Sequence, residues 1–175
     1  MDKMDGNTNK KNLWNDIIGI GFSKVSVKTI VIWSVLLLTV YFIFTLVYGA
    51  LGILPISTAN ESVAKMTKLQ KLIFVFIFSV FVAPFFEEVV FRGYLFNWLK
   101  RLHVRTTIIV ISTAFFWTIM HFLLGMDFNF PIFVYFLTMG ALLCISRIRT
   151  SSLLTPLILH SVYNTASVII ILINN

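Results

Sequence analysis

The amino-acid sequence predicts an all-α polytopic membrane protein, a transmembrane helical bundle of about five spans with a short N-terminal interfacial helix. Three observations carry this expectation. Of 175 residues, 58% are hydrophobic and only 12% are charged, against about 45–50% and about 25% in soluble domains. The mean hydropathy is +0.92. The apolar residues gather into separate runs, several of them close to the ~20 residues that one span needs. This composition excludes a soluble globular enzyme, a disordered chain and a disulfide scaffold. The single cysteine, Cys144, lies within an apolar run and can form no internal disulfide.

Residues 1–28 read as a polar tail. Within it, Asn12 to Phe22 brings Leu13, Trp14, Ile17, Ile18 and Phe22 roughly to one side. That pattern predicts a helix lying among the lipid headgroups, with Trp14 as its anchor. A polar stretch ahead of an apolar run too long for a leader predicts no cleavable signal peptide. The bundle is expected over residues 29–175. Its first segment runs from Thr29 to about Leu51 without a charge, and Pro55 closes it. After a polar linker from Ser57 to Gln70, the second segment follows Lys71 and continues to Leu99, interrupted by Glu87, Glu88 and Arg92. The third runs from Thr106 to Leu124, the fourth from Phe130 to Ser146 and the fifth from Leu153 to Ile173. Pro84, Pro131 and Pro156 fall near helix starts or kinks. Membrane helices tolerate them where neighbours satisfy the freed carbonyls.

A net charge of +7 and a pI near 9.8 would by themselves suggest nucleic acid. The positions argue instead for membrane topology and no nucleic-acid partner, because the basic residues sit between apolar runs. Ten fall on one side: Lys3, Lys10, Lys11, Lys24 and Lys28, then Lys100, Arg101 and Arg105, then a loop with Arg147 and Arg149. Lys65, Lys68 and Lys71 make three on the other. The bias predicts a cell-membrane protein with a cytoplasmic N-terminus and an external C-terminus.

A charge at the centre of a bilayer is disfavoured by about 2.5–3.5 kcal/mol on insertion scales. Glu87, Glu88, Arg92, His121 and His160 nevertheless all lie within apolar runs. Measured from the inner basic anchors, Glu87 is 13 residues from Lys100, His121 is 16 from Arg105 and His160 is 11 from Arg149. At 1.5 Å per residue these are roughly 20, 24 and 17 Å, so three helices carry polar groups to comparable depth. Asn164 shares a helix face with His160. Glu88 and Arg92, four residues apart, can pair, while Glu87 is rotated about 100° from Glu88 and can point elsewhere.

That arrangement suits a water-activating carboxylate, Glu87, with His121 sharing the water's orientation. His160 and Asn164 would offer donors to a developing oxyanion. The same groups would also suit a packing device between helices, a zinc site or a proton relay in a transporter. His103, in a basic loop, reads as a bystander, and Asp127 as a solvated turn.

Glu87-Glu88-Val89-Val90-Phe91-Arg92 resembles the EExxxR signature of the CPBP (Abi) family of intramembrane CAAX-protease and bacteriocin-processing peptidases. Trp117 to His121 is similar to that family's second motif, an aromatic residue followed three residues later by histidine, although phenylalanine is usual at the first position. His160-Ser161-Val162-Tyr163-Asn164 matches the third, HxxxN. The polar turn Arg149–Leu153 is also similar, and the resemblance spans roughly residues 71–175, the expected peptidase core. It implies a glutamate-type intramembrane endopeptidase acting on a membrane-associated peptide or protein. Glu87 and His121 would activate water, His160 and Asn164 would form the oxyanion hole, and Glu88 and Arg92 would support the site. Neither metal nor other cofactor is expected. Bacteriocin self-immunity and peptide maturation are the roles implied, with a non-catalytic immunity or binding protein and a small transporter as the alternatives.

Overall fold

The computed structural model describes residues 21–52, 67–124, 126 and 128–173. Among them there are five helical runs and no strand. They are α1 (Val27–Ala50), α2 (residues 68–101), α3 (Thr106–Leu123), α4 (Phe130–Thr150) and α5 (Leu154–Ile173). The architecture is an all-α, membrane-type bundle, as expected. By length and composition α1, α3 and α4 are each able to cross a membrane. The second and fifth apolar segments differ, because α2 holds three charges in mid-run and the apolar stretch of α5 is the shorter Leu154–Ile170. The amphipathic stretch at 12–20, most of the polar linker and Asp127 lie outside the described residues.

The outside of the bundle is apolar. Ile32, Val35 and Leu46 of α1, Phe81 and Phe86 of α2, and Ile111 and Phe116 of α3 are all exposed. In water such surface would drive association; in lipid it is the solvated face. The main cluster inside is built from Leu37 and Tyr41 of α1, Phe91 of α2, Trp117 of α3, Met139 and Leu143 of α4, and Leu159 and Tyr163 of α5, with a smaller one of Phe96, Ile109 and Cys144. α3 and α4 approach closely at Gly140. A Cβ there would sit 3.0 Å from the Trp117 ring and 3.1 Å from Ala114 Cα. Only the missing side chain lets the two backbones meet.

Element ends follow local chemistry. Ser26 caps α1, its Oγ accepting from the Thr29 amide at 3.1 Å. The Tyr48 hydroxyl donates to the Pro131 carbonyl at 2.6 Å, tying the end of α1 to the start of α4. Arg147 and Arg149, expected in a loop, instead form the last turn of α4. Cations are favourable at a helix C-terminus, and a long aliphatic stem can be buried. Arg147 is buried, with its guanidinium 5.6 Å from the Phe96 ring. Ser151 then ends the helix in the left-handed conformation, at φ 51°. An extended segment ahead of α1 is pinned to that turn, where Leu153 N donates to Gly21 O and Ser152 Oγ donates to Ser23 O.

Candidate active site

The geometry of the site begins with α2, which is not a uniform helix. Two π-helical stretches, Phe78–Val82 and Val89–Leu95, flank the α-helical Ala83–Glu88 that carries both glutamates. π-Helical turns within α-helices are frequent at functional sites. Here the first has a visible consequence. In the π register the Ala83 amide bonds to the Phe78 carbonyl, so the next donor, for the Ser79 carbonyl, would be the amide of residue 84. That residue is Pro84, which has no N–H. The orphaned Ser79 oxygen receives Asn164 Nδ2 from α5 at 2.6 Å.

Glu88 and Arg92 form the buried half of the site. Both side chains are fully buried, and Arg92 Nη1 donates to Glu88 Oε1 at 2.9 Å. Arg92 Nη2 donates to the Gly140 carbonyl at 2.9 Å, so the glycine that lets α3 and α4 touch also supplies an acceptor. His160 Nδ1 lies 2.9 Å from the same Glu88 oxygen. Glu88 Oε2 and Arg92 Nε have no hydrogen-bond partner among the described residues. A pair this deep is an expensive element.

Glu87 forms the other half and stays partly accessible, its side chain 16% exposed. The indole N–H of Trp117 donates to Glu87 Oε2. His121 Nε2 and His160 Nε2 each lie 3.8 Å from that same oxygen. These separations exceed a hydrogen bond and suit contact through a shared water. His121 Nδ1 is 2.8 Å from the Trp117 carbonyl. A carbonyl can only accept, so Nδ1 carries the hydrogen, and the neutral imidazole presents a lone pair at Nε2.

Five of the six residues singled out from sequence therefore meet: Glu87, Glu88, Arg92, His121 and His160. The Glu88–Arg92 pair is the one expected. Glu87 has a separate set of neighbours from Glu88, although His160 lies between the two carboxylates, its Nδ1 2.9 Å from Glu88 Oε1 and its Nε2 3.8 Å from Glu87 Oε2. Asn164 differs more. It lies on the same face as His160, but one N–H is engaged by Ser79 rather than aimed with His160 at a common point. Sequence reasoning missed Trp117 and Gly140 as partners. The motif placed Trp117 near the site, but no spacing rule links it to a carboxylate 30 residues earlier. Among the described residues, no group of three or more His, Cys, Asp or Glu side chains is arranged to hold a metal ion. His103 is exposed in the turn after α2, as expected.

The fold and this cluster define a class: an all-α membrane protein that gathers paired carboxylates, an arginine and two histidines between its helices. The family comparison goes further. The model of the type II CAAX prenyl endopeptidase Rce1-like family matches residues 69–166, more than half of the chain and nearly all of α2 to α5. The chain belongs to this family of CAAX-type membrane proteases. No curated protein and no solved structure matches it.

Proposed function

We propose that the protein is an intramembrane endopeptidase that hydrolyses a peptide bond of a membrane-associated peptide or protein through a glutamate-activated water. The observation that carries the reading is the convergence of three groups on one point: His121 Nε2 and His160 Nε2 both stand 3.8 Å from Glu87 Oε2. Water shared by Glu87 and His121 donates one hydrogen to the Nε2 lone pair and the other to the carboxylate. Glu87 takes a proton as the water oxygen bonds to the scissile carbonyl carbon. The carbonyl π electrons move onto oxygen, and His160 with the second N–H of Asn164 receives that oxyanion. In this role His160 carries hydrogens on both nitrogens, one directed to Glu88 and one to the oxyanion. The proton held by Glu87 then passes to the leaving nitrogen. The C–N bond breaks, giving a carboxylic acid and an amine. Glu88 and Arg92 hold the helix geometry.

The peptidase core is assigned to residues 71–175 and the N-terminal part, residues 1–28, to membrane-surface attachment. Basic residues at Lys24, Lys28, Lys100, Arg101, Arg105, Arg147 and Arg149 support a cell-membrane orientation with the N-terminus cytoplasmic and the C-terminus external. Bacteriocin self-immunity or peptide maturation are the biological roles that fit such an enzyme.

The test is to incubate the purified protein, in lipid nanodiscs, with membrane-bound peptides bearing and lacking a prenyl group, and to read the products by mass. Cleavage that disappears in both Glu87→Gln and His121→Ala supports the reading. Cleavage or biological activity kept in full by correctly inserted variants sinks it and leaves the cluster as a structural or binding element.

A further inference from the structure

We infer that Trp117 is the positioning residue of this site: its indole N–H holds the Glu87 carboxylate while its own carbonyl sets the tautomer of His121. The consequence for catalysis rests on the peptidase reading above; the placement of Glu87 does not.

Four observations point the same way. Trp117 is completely buried, and an indole nitrogen is a donor only, so in that setting it needs an acceptor. The acceptor it has is Glu87 Oε2, the oxygen on which both histidines converge. Next, the ring is tightly enclosed. Gly140 lies so close to it that a Cβ on Gly140 would sit 3.0 Å from Trp117 Cε3.

The guanidinium of Arg92 lies 5.1 Å from the ring centroid. A cation on the π face is attracted to the ring and draws electron density from it, which strengthens the N–H as a donor. Arg92 is itself fastened to Glu88 and to the Gly140 carbonyl. The buried pair therefore acts on the accessible carboxylate through the indole. Finally, the Trp117 carbonyl takes the His121 Nδ1 hydrogen at 2.8 Å, which turns the Nε2 lone pair towards Glu87. One residue thus orients both members of the water-activating pair. Phenylalanine, usual at this motif position, supplies the carbonyl but no N–H. The grip on the carboxylate is a property of this chain.

The test replaces Trp117 with 3-benzothienylalanine, an isostere in which sulfur takes the place of the N–H, in the full-length protein in nanodiscs. Trp117→Phe serves as a second variant. Two readouts are followed. The first is the infrared carboxylate stretch of Glu87, assigned by its loss in Glu87→Gln. The second is cleavage of a membrane peptide, separated into kcat and KM. The isostere is expected to shift the carboxylate band and lower kcat by about ten- to a hundredfold, the range for a hydrogen bond to a charged group. KM should stay within about twofold.

An unmoved band overturns the proposal whatever the activity. So does a shifted band with unchanged kcat in an active enzyme. A shifted band in a protein that cleaves no peptide upholds the placement of Glu87 and instead defeats the peptidase reading. A purely structural role would change the unfolding temperature and leave the carboxylate band where it is. If Trp117→Phe fails to fold, the isostere alone decides.

Discussion

Glu87 and Glu88 are neighbours in the chain with the same chemistry, yet they occupy opposite environments. Glu88 is fully buried, ion-paired with Arg92 at 2.9 Å and contacted by His160 at 2.9 Å. Glu87 is partly accessible, held by one indole N–H, and stands 3.8 Å from two imidazole nitrogens. The first carboxylate has its charge answered by a fixed partner, so it has little left to offer a reaction. The second has polar groups around it at distances that leave room for water and substrate. On the proposed reading, what separates the structural carboxylate from the reactive one is the distance to the neighbours, not the residue type.

The sharpest way to break this comparison is to neutralise each carboxylate in turn. Glu87→Gln should lower peptide hydrolysis by about 10²–10⁴-fold, the range of a lost general base, with little change in unfolding temperature measured by circular dichroism. Glu88→Gln should do the reverse, with a large drop in unfolding temperature. Equal behaviour of the two variants would erase the distinction. Next in size, Arg92→Ala leaves Glu88 buried without its cation, and should destabilise the protein by about 3–5 kcal/mol, read by thermal unfolding in detergent.

Gly140→Ala tests the contact that joins the halves. Overpacking against Trp117 and Ala114 should remove about 1–3 kcal/mol of stability and displace the indole, so hydrolysis should fall as well. A smaller effect separates two roles of Asn164. Asn164→Ala strands the Ser79 carbonyl and should destabilise by about 1–3 kcal/mol. Adding Pro84→Ala returns a backbone N–H near that carbonyl, and the double variant should recover part of the stability through a measurable coupling. Hydrolysis should stay low in both if Asn164 also receives the oxyanion. Smallest of all, a strong chelator should leave hydrolysis by the purified protein unchanged; loss restored by zinc would overturn the metal-free mechanism.

Much of this was legible in the sequence. The helix ends follow the charges and prolines, so α3 and α5 fall within about a residue of where the apolar runs start and stop. The Glu88–Arg92 pair was legible because i,i+4 spacing is a property of a single helix. The fourth helix overran its apolar segment by a turn, because Arg147 is buried with its guanidinium over the Phe96 ring and its charge at a helix C-terminus. The direction of Glu87 was not legible. A rotation of about 100° from Glu88 says nothing about a histidine on α5 that reaches both carboxylates.

The amino-acid sequence by itself determined that the chain is a helical membrane protein and which ionisable groups it places inside the apolar layer. Both follow from composition and order along the chain, because the cost of putting polar groups in lipid acts on each segment separately. Only the tertiary structure decided which of those groups became partners. Trp117 meets Glu87 because Gly140 lets α3 and α4 close together. Asn164 meets Ser79 because Pro84 withholds the local donor and α5 lies alongside. Each is a contact between distant residues, fixed by the packing of whole helices, and no local pattern encodes it.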